Sequence, residues 1–169
     1  MASTGGVETM QSMTMDDGLI ARLIRPSAAL SEKPLVKEIT DYIANCRARK
    51  EVPSLTRRFG KDFSNLQLEN VDFAGCDMRD ISLQGAYLKR ANLKGANLKG
   101  ANLFFTTFIE ADMEGVLLDG ANAEAADFRG ANLKNASLRY VNLFYALIGG
   151  CMLEGANLEG TSLKQAQRS

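Results

Sequence analysis

The residue types that carry most enzymatic chemistry are sparse in this sequence, and their spacing does not assemble them. There is no histidine in 169 residues. That removes the usual general base near neutral pH, the commonest zinc ligand and any Ser–His or Cys–His nucleophile. The three cysteines, Cys46, Cys76 and Cys151, are odd in number and far apart. Such a set is neither a disulfide framework nor a metal-binding motif. Asp and Asn are frequent, but they recur at a fixed interval, so a pair of carboxylates carries little weight as an acid–base couple. No phosphate-cradling glycine loop is present. These residues lead us to expect no enzyme, no cofactor and no metal. Binding is the chemistry that remains, and it depends on which side chains the fold turns outward.

The fold is read from a repeat. Written in fives from Lys61, the third residue of each five is large and apolar almost without exception, from Phe63 and Leu68 through to Leu158 and Leu163. Of these 21 centres, 13 are Leu, 4 Phe, 2 Met, 1 Ile and 1 Ala, the last being Ala123. Two positions earlier the residue is small, with Ala at 11 of 21, and one position earlier it is Asn or Asp at 12. Two positions after the centre, Gly occurs 10 times. A period of five fits neither an amphipathic helix nor a simple strand. It fits a coil in which the chain turns a corner every five residues and sends one large and one small side chain inward. Gly and Asn tolerate the backbone angles of corners, and Asn or Asp beside a corner can bond to nearby backbone groups. One coil cannot bury its inner face alone, so stacked coils must share a continuous core.

Units such as Ala91-Asn92-Leu93-Lys94-Gly95 and Ala96-Asn97-Leu98-Lys99-Gly100 resemble the pentapeptide-repeat family. The resemblance covers 61–165 and implies an all-β solenoid, a right-handed quadrilateral β-helix with four fives per coil. At a strand spacing of about 4.8 Å, the 21 repeats make a little over five coils and a rod about 25 Å long. The expected core ladder is Leu83, Leu88, Leu93, Leu98, Leu103, Phe108, Phe128, Leu133, Leu138 and Leu143. Ala123, stacked between Leu103 and Leu143, should leave its coil underpacked. Many members of the family are bacterial.

Before the array, residues 1–15 read as a disordered tail and 16–60 as a small N-terminal α-helical cap. Asp16 or Asp17 could cap a short helix carrying Leu19, Ile20, Leu23 and Ile24. Ser31 could cap a longer one with Pro34 in its first turn. Leu35, Ile39, Ile43 and Cys46 fall on one face of that helix, and Pro53 closes it. Leu55 and Phe59 lead into the first coil. The first coil presents unpaired strand edges and an apolar cross-section that something must cover. At the far end only a tail, 166–169, follows. The last coil could therefore stack on a second copy as an isologous dimer.

If four fives make a coil, residues 20 apart stack in columns. One column reads Lys94, Glu114, Lys134, Glu154, and the next Arg79, Lys99, Asp119, Arg139, Glu159. The alternation predicts a charge ladder on a solvated surface. A basic cluster at Arg79, Lys89, Arg90, Lys94 and Lys99 is the one single-signed patch in this map. A third face carries Phe104, Glu124 and Phe144 in one column and Phe105, Ala125 and Tyr145 in the next, with Tyr140 and Leu147 at the flanking corners. Outward aromatics are not needed by a solenoid whose inside is already filled. Clustered exposed apolar residues mark interaction sites, and aromatic anchors supply binding hot spots. Phe104, Phe105, Glu124, Tyr140, Phe144, Tyr145 and Leu147 are therefore the candidate binding face, for an unidentified protein partner.

Charge excludes other classes. Lys plus Arg and Asp plus Glu are 20 each, which gives no net field to steer the chain toward nucleic acid. From Lys61 onward there are 11 basic and 13 acidic residues. A DNA-mimicking modulator of a gyrase-type topoisomerase, the alternative the family suggests, needs acidic columns, and these are mixed. No stretch approaches membrane-span length. The opening residues lack the basic and apolar regions of a secretory signal, so the expected location is the cytoplasm. The sequence thus predicts a non-enzymatic interaction or scaffold module.

Overall fold

A computed structural model describes residues 32–167. From Asp62 onward, one residue in every five pairs in parallel with the residue twenty further along, beginning with Asp62 and Ser82 and ending with Leu147 and Gln167. Four fives therefore close one coil, and each coil lies on the one before. Inter-coil hydrogen bonds run along every face: the Leu88 N–H donates to Thr107 O at 2.7 Å, and the Tyr87 N–H to Leu66 O at 2.9 Å. The backbone is thus satisfied along the stack, as buried peptide groups require.

The inward set is the one the period defines. All ten residues of the expected core ladder are buried, as are the alanines two positions before the centres, from Ala86 to Ala146. Ala123 is also fully buried. Its coil includes Phe128, whose ring stacks on Phe108 of the preceding coil at 5.1 Å between centroids and 10° between planes.

Corners are built from two local devices. At all 21 positions two residues after a centre, from Asn65 to Gln165, φ is positive, between 54° and 73°. The carbonyl of the centre accepts from the N–H three residues on, as in Ala86 N–H to Leu83 O at 2.9 Å. Positive φ at the third residue of such a turn is the type II pattern. Gly is favoured there because it lacks the Cβ that clashes. In the second device, every Asn or Asp one position before a centre accepts the N–H two residues on through its Oδ1. Asn92 with Lys94 at 3.2 Å and Asp127 with Arg129 at 3.1 Å are examples. The composition of the repeat follows from these bonds.

Ahead of the coils, helix α1 spans Glu32–Ala48. Ile39, Ile43 and Cys46 of its predicted face are buried. The expected first helix and its capping Asp16 or Asp17, the tail 1–15 and the Ser31 cap lie outside the described residues. Helix α1 ends in a Schellman motif, with Lys50 at φ 59° and the Glu51 N–H donating to Cys46 O at 2.9 Å. Two features were not foreseen in the lead into the first coil. Residues 53–55 pair with the coil above, Ser54 opposite Asp77. A second helix, α2, then occupies Leu55–Phe59 and stops at Gly60, φ 81°. Ile39, Ile43 and Leu55 join Phe63, Leu68 and Phe73 in one continuous core. Arg47 ties helix to solenoid, with Nη1 2.6 Å from Asp72 and Nη2 donating to Ala74 O at 2.9 Å.

The opposite end is different. Leu153 and Leu158 are only half-buried and Leu163 is exposed. Together with Leu133, Leu138 and Leu143 they line an apolar hollow in the solenoid interior.

Candidate protein-binding surface

The corner after each centre of one face carries the aromatics. Phe104 and Phe105 form an edge-to-face pair, 4.7 Å between centroids at 85°. Phe144 and Tyr145 form a second, at 4.2 Å and 64°. The pairs are two coils apart on the same edge, about 10 Å along the axis. Each ring therefore packs on its sequence neighbour. Phe105 is 62% exposed and Tyr145 49%, while Phe104 and Phe144 are half-buried. Between the pairs lie Glu124 and Ala125, both half-buried. Glu124 Oε2 accepts from Asn142 Nδ2 at 3.3 Å.

The flanking residues divide. Tyr140 stands on the preceding corner, 60% exposed, and turns along the rod. Its hydroxyl donates to Glu159 Oε1 at 3.1 Å, and the Arg139 guanidinium lies 5.6 Å from its ring centroid. Its ring covers Gly160 so closely that a Cβ there would overlap it. Leu147 is half-buried and pairs through its backbone with Asp127 and Gln167. The compact part of the predicted face is therefore Phe104, Phe105, Glu124, Phe144 and Tyr145.

Backbone geometry adds what side-chain type could not show. Phe105, Tyr140 and Tyr145 all occupy left-handed corner positions, with φ of 55°, 57° and 59°. A bulky side chain is rarely found there, and the conformation costs it about 1–2 kcal/mol. Ten equivalent corners use Gly. Tyr140 lays its ring on the next coil, over Gly160 and Glu159, whereas Phe105 and Tyr145 are large, exposed and conformationally strained.

Elsewhere most charges on the array are paired. Column neighbours pair as Lys99–Asp119 at 2.9 Å, Lys134–Glu154 at 3.6 Å and Arg139–Glu159 at 2.9 Å. The expected basic patch does not exist as such. Arg79 pairs with Asp77 at 2.8 Å, Arg90 with Glu110 at 2.6 Å, Lys94 with Asp112 at 3.1 Å and Lys99 with Asp119. Four of its five charges are answered, Arg79 by turning back within its own repeat and the other three by carboxylates one coil away. Nor do Cys76 and Cys151 offer reactivity. Burial pushes Cys76 up to about 12 and Cys151 up to about 11, so both stay protonated at neutral pH and are poor nucleophiles. Among the described residues, no helix is long and apolar enough to cross a membrane.

Comparison with known proteins agrees with this geometry. The pentapeptide repeats profile matches in eight copies, over 67–103, 81–120 and 117–146. Among solved structures, a pentapeptide repeat protein from Nostoc PCC 7120 is 31% identical, with a TM-score of 0.52, over 60% of this chain and 84% of that one. One from the thylakoid lumen of Arabidopsis thaliana is 33% identical, with a TM-score of 0.34, over 63% of this chain. The present chain spans 64% of that protein's length. Another, from the cyanobacterium Cyanothece 51142, is 25% identical, with a TM-score of 0.41, over 68% of this chain and 91% of that one. No curated protein sequence matches significantly. The twenty-residue pairing, the left-handed corner in every five and the likeness to the Nostoc protein lead to one assignment: the chain belongs to the pentapeptide-repeat family, whose fold is the right-handed quadrilateral β-helix.

Proposed function

We propose that this protein is a non-enzymatic docking module, a rigid rod that presents the Phe104–Phe105 and Phe144–Tyr145 corner to a protein partner. The observation that carries the reading is the strained, exposed aromatic corner. Phe105 and Tyr145 occupy left-handed positions where glycine would serve the solenoid better, and strain of this kind accumulates at functional sites. Rigid aromatics at such a corner would bury large area with little loss of side-chain entropy. The test changes Phe104, Phe144 and Tyr145 together to Ser and compares partner retention with the wild type. The expected result is loss of the partner with an unchanged circular dichroism spectrum. Retention of every partner by the triple mutant would reject the reading.

Helices α1 and α2 act, in this proposal, as the cap of the first coil, shielding Phe63 and Leu68. The last coil, with Leu158 and Leu163 open, is the surface for a second copy of the chain. A topoisomerase-directed DNA mimic needs a continuous anionic surface, and the paired ladders count against it. A cytoplasmic location is consistent with Cys46 and Cys76 being buried and outside any disulfide, and localisation of a tagged chain would test it.

A further inference from the structure

Ten of the thirteen acidic residues of the array pair with a Lys or Arg, Asp72 with Arg47 of helix α1 and nine with cations one coil or two residues away on the array itself. Among the described residues, Asp62, Glu69 and Glu124 pair with none, and of these three it is Glu124 that stands in the aromatic columns. Its column neighbours one coil to either side are Phe104 and Phe144. Its hydrogen bond comes from a neutral amide, Asn142 Nδ2. A carboxylate thus stands between two aromatic pairs with no cation supplied.

The same molecule shows the filled form of this arrangement. Arg139 lies 5.6 Å from the Tyr140 ring centroid while its Nε donates to Glu159 Oε2 at 2.9 Å. One guanidinium there satisfies a ring and a carboxylate together. Arg58 likewise lies over the Phe59 ring, at 5.1 Å. At Glu124 the ring and carboxylate are present and the guanidinium is missing.

Building on the proposed docking role, we propose that the Glu124 notch receives an arginine side chain of the partner protein. A guanidinium is planar and weakly hydrated, and it stacks on aromatic faces while offering a fork of donors to a carboxylate. A lysine ammonium is compact and strongly hydrated, and an open notch desolvates it poorly. A lone carboxylate lacks the oxygen ligands a metal ion requires. Ala125 keeps the floor of the notch low between the larger Phe105 and Tyr145.

The test titrates the full chain with N-acetylarginine amide, its neutral isostere N-acetylcitrulline amide and N-acetyllysine amide, following the backbone amides of Phe105, Glu124 and Tyr145 by NMR. The expected result is saturable shifts with the arginine probe, tighter than either other probe by about two- to fivefold, the range of one exposed ion pair. Glu124→Gln should abolish the preference over citrulline and leave the amide spectrum otherwise unchanged. Equal binding of citrulline, equal binding of lysine, an unaltered preference in Glu124→Gln, or no saturable shift would each overturn the proposal. The docking reading fails separately. It falls if the triple aromatic mutant keeps the partner, and it stands without the arginine if Glu124→Gln binds the partner at full strength while the triple mutant does not.

Discussion

A side chain held in a left-handed corner is under conformational stress, and this array holds eleven of them. Ala125, at φ 55°, isolates that stress because its side chain is a single methyl. Ala125→Gly should raise stability by about 0.5–1 kcal/mol, the left-handed penalty relieved less the added freedom of the unfolded glycine. A thermal melt would read this as a higher Tm, and a lower one would show that the corners are not strained. The reverse change separates strain from packing. Gly95, φ 60°, has open space around it, whereas a Cβ at Gly160, φ 67°, runs into Tyr140. Gly95→Ala should cost about 1 kcal/mol, and Gly160→Ala more, because the Tyr140 ring must move off Glu159. Equal losses in denaturant titrations would mean that the ring yields freely.

At the scale of elements, the decisive join is between α1 and the first coils. Ile39 and Ile43 are buried in the same core as Phe63 and Leu68, so Ile43→Ala should cost about 2–5 kcal/mol. If the helix is a cap, that loss will appear first as faster amide exchange in Phe63–Met78, with little change beyond Leu133, since a solenoid couples neighbours more than distant coils. Uniform loosening along the array would contradict the cap. The face of α1 was readable from Leu35, Ile39, Ile43 and Cys46 because a helix writes its period locally. The coils were readable for the same reason, and the Asn and Asp corner bonds could be foreseen because they span only two residues. What escaped was non-local. The pairing of Ser54 with Asp77 depends on an edge that exists only once the coils are stacked, and Leu55–Phe59, five residues long, is too short to write a helical period. The basic cluster dissolves because its cations meet their column partners, Arg90 with Glu110, Lys94 with Glu114 and Lys99 with Asp119, while Arg79 turns to Asp77 in its own repeat. The aromatic corner could be located from spacing, but the pairing of its rings and the missing cation at Glu124 required the side-chain geometry.

For the molecule as a whole, acid should be the sensitive variable. The backbone N–H of Ser64 holds the Asp62 carboxyl below the usual carboxylate range, and the Arg79 guanidinium does the same for Asp77. Carboxylates whose folded pKa is depressed contribute stability above the unfolded pKa of about 3.9 and lose it as pH falls through the folded value. Tm should therefore be level from about pH 5 upward and fall below about pH 4. Asp77→Asn should flatten part of that fall, since the amide keeps the corner bond without titrating, and a steeper fall would remove Asp77 from the account. At the open end, light scattering should give the mass of a dimer, and Leu158→Glu should return it to one chain. A monomeric wild type would leave that coil without a second copy.

The twenty-residue spacing also makes the chain a ruler with four sides. Removing one repeat between Thr106 and Tyr140 would preserve every inward side chain and every corner, yet turn all that follows by a quarter of a revolution. Phe144 and Tyr145 would then point away from the side that carries Phe104 and Phe105. Removing four repeats would restore the side and bring the two pairs one coil closer. Length changes in such a rod are thus angular as well as linear. Any partner that grips both aromatic pairs constrains insertions and deletions between them to whole revolutions.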